Sequence, residues 1–268
     1  MDKSSGAAAC VAEQWLEQSE FLSRNAGLDY IDVIIDFTGS GRTTKDLFCE
    51  FTPEIRYASL YEGMPEEGVK DEGPVVARFF WSEGQHRMFL EELMRFWGSA
   101  SRLMLLISPL VFDQCKNHLL ALSQFEWGEQ GGILRFYDSR VFPSLLSHAL
   151  SEEQQAQFTR IAFFWGWLDR DSRQAWKAGS IGPDCRVLPK PEKLTLSDQQ
   201  IEIIGCISDA DMLSRKIDRA DILPEEKFRK CFDAALAASR EGYWGALDEY
   251  VQRLGLFSES EKNGETGV

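Results

Sequence analysis

The sequence predicts an α/β protein of the α+β type, in which a mixed sheet with flanking helices forms an N-terminal lobe and a small all-helical C-terminal lobe follows. Three observations support this prediction. Strand-like runs of β-branched and aromatic residues alternate with helical patterns as far as about residue 193. Gly-Pro and Pro-Lys-Pro steps between Gly179 and Pro191 then break regular structure. Beyond them, apolar residues recur only at helical spacing.

These changes in pattern divide the chain into four parts. We expect residues 1–29 to form an N-terminal helix or extension, residues 30–193 the α/β lobe and residues 194–257 the helical lobe. The polar, glycine-containing stretch 258–268 is expected to be a disordered tail.

Local patterns place each element of the α/β lobe. Ser108 before Pro109 is a good helix start, Ser151 with Gln154 forms a capping box, and the turn residues 169–172 separate two halves of a hairpin. In chain order we predict helix 11–22, strand 30–37, helix 44–51, strand 74–80, helix 85–96, strand 102–107, helix 109–123, strand 133–137, helices 140–150 and 152–158, and a hairpin of strands 161–168 and 173–177.

Three short helices are predicted for the C-terminal lobe. Ser197 and Gln200 form a capping box at the first helix, and Pro224 starts the second. The third presents apolar residues at helical spacing, namely Trp244, Leu247, Val251 and Leu254.

Composition limits the classes of partner. The chain has 268 residues, a net charge of -14 and a pI near 4.8, so it lacks the basic clusters that nucleic acid or an anionic membrane would require. No apolar run approaches the length of a membrane span, and the lipoprotein-like Ala-Cys step at Cys10 has no apolar stretch before it. We therefore expect a cytoplasmic protein that binds a protein partner or a small ligand and has no membrane anchor.

The sequence supplies no recognisable catalytic or metal-binding constellation. The six cysteines are scattered, without a Cys-x-x-Cys pair or a histidine at zinc-ligand spacing. The three histidines, His86, His118 and His148, have no paired nucleophile in their sequence neighbourhoods. We expect a non-enzyme with no catalytic residue, no cofactor and no metal.

One loop resembles a phosphate-binding loop. Predicted strand 30–37 leads into Thr38-Gly39-Ser40-Gly41-Arg42-Thr43-Thr44 before a helix. The first glycine of a P-loop is replaced by Asp36 and its lysine by Arg42, and a carboxylate would repel a polyphosphate. We favour a glycine turn followed by a threonine-capped helix, and keep a nucleotide-dependent enzyme as the less favoured alternative.

Charged residues inside an aromatic run mark another segment, Arg135-Phe136-Tyr137-Asp138-Ser139-Arg140. Asp138 and Ser139 are strong turn or N-cap residues, so Arg135, Asp138 and Arg140 are predicted to crowd one strand-to-helix corner. A carboxylate held between two guanidinium groups would satisfy the buried polar atoms there.

The same segment resembles the hallmark motif of the type VI secretion system effector adaptor family, also called effector chaperones, which is associated with the DUF4123 domain. Ser139 stands where that family usually has proline. Short matching segments follow in the family's order across nearly the whole chain, from residue 30 to residue 257. They include strand 30–36 ending at Asp36, Ser59-Leu60-Tyr61-Glu62-Gly63, Gly73-Pro74-Val75-Val76, Trp97-Gly98-Ser99-Ala100 and Gly242-Tyr243-Trp244-Gly245.

The resemblance implies a non-catalytic adaptor or chaperone. Such a protein binds a toxic effector in the cytoplasm, often through the effector's N-terminal or PAAR-like region. It then loads the effector onto the VgrG spike. Eight tryptophans and eighteen phenylalanines leave room for an apolar binding groove, which we expect between the two lobes. The candidate motif or contact residues are Arg135, Tyr137, Asp138, Arg140, Trp97, Trp165, Trp167, Tyr243 and Trp244. An immunity-type protein that neutralises a toxin is the other alternative.

Overall fold

The computed structural model describes residues 3–49, 51–98 and 100–257, with side chains from residue 9 onward. Predicted tail 258–268 lies outside the described residues. The chain divides into two compact units, Met1–Gln200 and Ile201–Val268. The α+β prediction is confirmed: a sheet with flanking helices is followed by a helical region. Within the described ranges, no helix combines the length and apolar character that a membrane crossing requires.

Helices and strands alternate along the first unit. The elements are α1 (Lys3–Asn25), β1 (Tyr30–Asp36), α2 (Thr44–Phe48), β2 (Arg56–Ser59), 3-10 turns over Pro65–Glu72, β3 (Pro74–Phe80), α3 (Gly84–Leu93) with a π turn (Met94–Gly98), β4 (Leu103–Ile107), α4 (Phe112–Leu122), β5 (Gln124–Trp127), β6 (Gln130–Ile133), α5 (Phe142–Ser144) with a π turn (Leu145–Ala149), α6 (Glu152–Thr159), β7 (Phe164–Leu168), β8 (Gln174–Ala178) and β9 (Leu194–Thr195). Helix α7 (Asp198–Ser214) begins in this unit, and α8 (Pro224–Arg240) and α9 (Leu247–Arg253) follow.

Six strands form the main sheet in the order β2-β3-β1-β4-β7-β8, and every neighbouring pair is antiparallel. A smaller sheet has the order β6-β5-β9, with an antiparallel β5–β6 pair and a parallel β5–β9 pair. The mixed pairing is thus in the smaller sheet. The inner strands β1 and β4 are buried almost throughout, because their runs of Ile, Val and Leu are covered on both faces.

The two faces of the main sheet carry different side chains. On the helix face, Ile31, Val33 and Ile35 share one core with Trp15 of α1 and Leu90 of α3. The opposite face, here called the motif face, carries the alternate residues of each strand. There Asp32 of β1 lies opposite Arg78 of β3 and opposite Leu106 of β4, which in turn faces Trp165 of β7.

A buried ion pair joins the two central strands on the motif face. Arg78 donates from Nε and Nη2 to the two carboxylate oxygens of Asp32, both at 2.7 Å, and from Nη2 to the carbonyl of Leu110 at 2.9 Å. The guanidinium also lies 3.8 Å from the ring centre of Tyr30. These contacts satisfy charges that would otherwise be costly inside the sheet.

The prediction of a strand over residues 133–137 is wrong. Strand β6 covers Gln130–Ile133, and the chain then turns. The amide of Leu134 donates to Ser123, and the carbonyl of Asp138 accepts from the amides of Val141 and Phe142 at 2.9 and 3.0 Å. Turn hydrogen bonds and burial of neighbouring aromatic residues outweigh the strand propensity of this run.

Predicted helix 140–150 is likewise replaced by shorter pieces. The turn at residues 138–141 delays the helix to Phe142–Ser144, and a π turn over Leu145–Ala149 completes it. Helix α3 also ends in a π turn, Met94–Gly98, in place of the α-helical end predicted at residue 96. Hydrophobic periodicity indicates a helical stretch but does not distinguish an α turn from a π turn, so the sequence does not show these ends.

Helices α7 to α9 carry the core of the second unit, in which Ala234 and Ala238 of α8 pack with Tyr250 and Val251 of α9. The prediction that Trp244 lines the third helix is wrong. Gly242 adopts a positive φ of 64° just after α8, and α9 begins only at Leu247. Trp244 therefore lies in the connecting turn and is 96% exposed.

Candidate functional site

The segment 135–140, here called the motif turn, forms an ion pair between Arg135 and Asp36 and another between Arg140 and Asp138. Arg135 donates from Nη2 to Asp36 Oδ2 at 2.9 Å, at the end of β1. Arg140 donates to Asp138 from its backbone N, Nε and Nη2, at 3.0, 2.9 and 2.6 Å. In place of the predicted single carboxylate between two guanidinium groups, Arg135 pairs with Asp36 and Arg140 with Asp138.

The Asp138–Arg140 pair is the more enclosed of the two. The side chain of Asp138 is 7% exposed and that of Arg140 25%, whereas Arg135 is 51% exposed. Burial alone would raise the pKa of Asp138, but the hydrogen bonds and charge of Arg140 outweigh it and hold the pKa below its ordinary value. Asp138 is therefore ionised at neutral pH and serves as an acceptor within the turn.

Ser139 and Arg140 attach the motif turn to the β7–β8 hairpin. The hydroxyl of buried Ser139 donates to the carbonyl of Leu168 at 3.2 Å. Arg170 donates from Nη2 to the carbonyl of Arg140 at 2.9 Å. Ser139 therefore anchors the motif turn to the hairpin through its own hydrogen bond.

Tyr137 links the motif turn to the segment at Tyr61. Their two hydroxyls share a long hydrogen bond of 3.4 Å, and both side chains are buried. Burial, followed by this hydrogen bond, raises the pKa of Tyr137 above its ordinary value, so the phenol stays protonated. A Cβ atom at Gly73 would lie 2.4 Å from the ring of Tyr61, so only glycine fits beside this tyrosine.

Segments that are far apart in the sequence thus meet at one corner of the sheet. Asp36 and Arg135 are separated by 99 residues, and Tyr61 and Tyr137 by 76. The charged and phenolic groups of this corner form hydrogen bonds and ion pairs with one another, so they hold distant segments of the chain together. We call this arrangement the clamp. Among the residues that the structure describes, no cluster of three or more metal-ligating side chains occurs.

Two of the predicted contact residues, Trp165 and Trp167, belong to the core. Trp165 is fully buried, donates from Nε1 to the carbonyl of Phe158 at 3.0 Å and packs against Phe142 at 5.0 Å between ring centres. The ring of Trp167 lies 5.4 Å from the same phenylalanine. Both side chains are enclosed by the protein's own residues, so a partner has no access to them.

The aromatic residues predicted as contacts in the second unit lie at its surface. Tyr243 is half-buried, with its ring 5.1 Å from Tyr250, and the guanidinium of Arg253 lies 5.3 Å from its ring centre. Its neighbour Trp244 is exposed.

Trp97 lines an open groove of about 440 Å³, here called the Phe96 groove. The loop after β1, helix α2, helix α3 and its π turn surround it. Its apolar lining residues are Leu47, Phe89, Leu93, Phe96, Trp97 and Ala100, and its charged lining residues are Arg42, Glu92 and Arg102. Trp97 stands edge-on to Phe37 of the core at 5.4 Å, whereas Phe96 is 73% exposed.

Sequence reasoning found Trp97 but missed Phe96, Phe89 and the arginines of this groove. Arg42 comes from the loop at residues 39–44, whose glycine pattern predicts a turn and gives no sign of a groove. In the structure, the carboxylate of Asp36 accepts the amide of Thr38 at 3.0 Å, and Asp46 forms a capping box with Thr43 at the start of α2. The predicted glycine turn and threonine-capped helix start are therefore observed.

Comparison with known proteins gives one match. The profile of a domain of unknown function, DUF4123, matches residues 34–157. No curated protein and no solved structure matches the chain significantly. The matched region takes in Asp36, Tyr61, the motif turn and all the residues that line the Phe96 groove, so the chain contains a DUF4123-type region that carries both features.

Proposed function

We propose that this protein is a non-catalytic adaptor that binds a type VI secretion effector in the cytoplasm and loads it onto the VgrG spike. The effector's N-terminal or PAAR-like region is the part expected to bind. The single observation that carries the proposal is the convergence of family-like segments of the first unit, at Asp36, Tyr61 and the motif turn, which build a corner beside an open aromatic groove. The DUF4123 match at residues 34–157, which includes Asp36, Tyr61 and the motif turn, supports it.

The hydrogen bonds and protonation states of the polar groups at the motif turn favour a binding role over a catalytic one. General acid–base or nucleophilic catalysis needs a group that can give or take a proton near a substrate. At the motif turn, Asp138 is occupied by Arg140, and Tyr137 is buried and protonated. The exposed ring of Phe96 is instead the kind of anchor that partner proteins cover.

Deletion of the gene in its native bacterium tests the adaptor function. We expect the cognate effector to remain inside the producing cells, which stay healthy, and secretion to return when the gene is restored. Unchanged secretion of every effector would refute the adaptor function. Death of the producer upon deletion would instead identify the immunity-type alternative, because an immunity protein protects its own cell.

Calorimetric titration with ATP or GTP and magnesium tests the nucleotide-dependent alternative. We expect no binding heat at millimolar nucleotide, because the carboxylate of Asp36 lies at the base of the loop that would have to hold the phosphates. Saturable binding of either nucleotide would favour the nucleotide-dependent enzyme over the adaptor.

A further inference from the structure

The Phe96 groove has a rigid apolar wall. The ring of Phe89 stacks on Phe51 at 4.7 Å and meets the core residue Phe48 edge-on at 6.0 Å. Trp97 is fixed in the same way on Phe37. Phe96 projects beyond this support with 73% of its surface exposed. Aromatic side chains that are already ordered lose little entropy when a partner covers them, so such a wall favours binding.

The charge of the groove is opposite to that of the protein. The chain carries a net charge of -14, yet Arg42 and Arg102 both line the groove, and Glu92 is the one acidic residue among the described residues that line it. Neither arginine forms an ion pair with a carboxylate in the part of the chain that the structure describes. Asp46, the acidic residue close to Arg42, is held by the capping box with Thr43.

Arg102 is also held in a fixed position. It donates from Nη1 to the carbonyls of Asp36 and Thr38 at 3.2 and 2.6 Å, and its guanidinium lies 6.0 Å from the ring centre of Trp97. Carbonyl groups orient the guanidinium without neutralising it. A preordered arginine beside an apolar wall favours a carboxylate on a partner that also has an apolar side.

We propose that the Phe96 groove binds an amphipathic helix of the cargo protein, whose apolar face covers Phe96 and Trp97 and whose flanking carboxylates pair with Arg42 and Arg102. This inference rests on the proposed adaptor function. A helix laid in an apolar groove is a common mode of peptide recognition. A small ligand within the groove would leave much of the Phe96 ring in water, whereas a helix covers it.

Three synthetic helical peptides of about 18 residues provide the test, since shorter helices are unstable in water. They share one leucine-rich face and carry glutamate, glutamine or lysine at the flanking positions. Calorimetric titration of the full chain is expected to give the tightest binding with the glutamate peptide, about tenfold weaker binding with glutamine, and weaker binding still with lysine.

Substitutions locate the contact. Phe96→Asp is expected to reduce affinity for the glutamate peptide by more than about tenfold. The control is Met88→Asp, because Met88 is 69% exposed on α3 but is not among the residues that line the groove, so its replacement should leave affinity unchanged. Arg42→Glu is expected to reverse the preference, so that the lysine peptide binds more tightly than the glutamate peptide. Circular dichroism confirms that each variant is folded.

Equal affinities for the three peptides, absence of binding, or equal losses in the Phe96 and Met88 variants would overturn the inference. Tighter binding of 4-phenylbutyrate, a small apolar anion, than of the glutamate peptide would also overturn it, in favour of a small-molecule site. The deletion experiment separates the two proposals. Lost secretion with no peptide binding leaves the adaptor function and removes this site, whereas normal secretion removes the adaptor function whatever the peptides do.

Discussion

Replacing Asp138 with alanine removes the carboxylate that holds the motif turn, and we expect the variant to lose stability and to keep its binding surface. The carboxylate accepts three hydrogen bonds from Arg140, the shortest at 2.6 Å, and the residue is 5% exposed. A partner cannot reach a side chain so enclosed. Any loss of cargo binding should therefore follow only from loss of folded protein.

The size of the effect follows from the geometry of the pair. Hydrogen bonds to charged groups contribute about 1.5–3 kcal/mol each and are not additive, and removing one partner of a fully buried pair costs about 3–5 kcal/mol. Because the side chain of Arg140 is 25% exposed, water compensates part of the loss. We expect the free energy of unfolding to fall by about 2–3 kcal/mol, which lowers the urea midpoint by about 1 M.

Urea unfolding followed by far-UV circular dichroism measures this difference. Asp113→Ala is the matched control, because Asp113 also accepts two hydrogen bonds from one arginine, Arg56, but both side chains are more than half exposed. Such a surface pair contributes less than about 1 kcal/mol. An Asp138→Ala variant with the wild-type urea midpoint would refute a stabilising role of Asp138 in the motif turn. If the proposed effector no longer co-purified with a variant of wild-type stability, Asp138 would instead be a contact residue.

Three further perturbations test the packing and the charges of the fold. Arg78→Met should lower the free energy of unfolding by about 3–5 kcal/mol because it leaves Asp32 buried alone, and the double variant Asp32→Leu/Arg78→Met should recover most of that loss in urea unfolding. Gly179→Ala would bring a Cβ atom within 1.8 Å of a backbone carbonyl oxygen and should lower the melting temperature, whereas Gly182→Ala, which has open space, should leave it nearly unchanged. The folded state lowers the pKa of Asp138, so the stabilising effect of this carboxylate is complete above its ordinary pKa of 3.8 and is lost as the pH falls below that value. The difference in stability between wild type and Asp138→Ala should therefore shrink in urea titrations at decreasing pH.

Sequence patterns predict the structure well where the local preference and burial agree, but the helix start predicted at Ser108 and Pro109 is wrong, because α4 begins at Phe112. Strand β3 has the predicted ends, and β1 starts at the predicted residue, because their apolar runs are bounded by turn residues and are buried on both faces. The capping box of Ser151 with Gln154 starts α6 as expected. In these cases the local preference and the tertiary contacts agree.

Prediction failed where contacts between distant residues decide the structure. The run at residues 133–137 has strand propensity, but the contact of Arg135 with Asp36 and the burial of Tyr137 against Tyr61 favour a turn. The aromatic cluster at Trp165 and Trp167 fitted either a core or a groove, and only the register with β4 shows that it faces inward. Seven of the lining residues of the Phe96 groove lie between Phe89 and Arg102, but Ser40, Arg42 and Leu47 come from the segment after β1, and only the fold brings the two segments together.

The two aspartates of β1 have a consequence for how the sheet assembles. A slip of β1 by one residue would move both carboxylates to the helix face, among the side chains under α1 and α3. A slip by two residues would keep the face but set Asp32 against Val76 or Phe80 in place of Arg78. Either error would bury charge without its partner, at a cost of several kcal/mol. The Asp32–Arg78 pair therefore favours the native alignment of β1 with β3, and it needs only residues up to β3, whereas the Arg135–Asp36 pair joins β1 to a much later part of the chain.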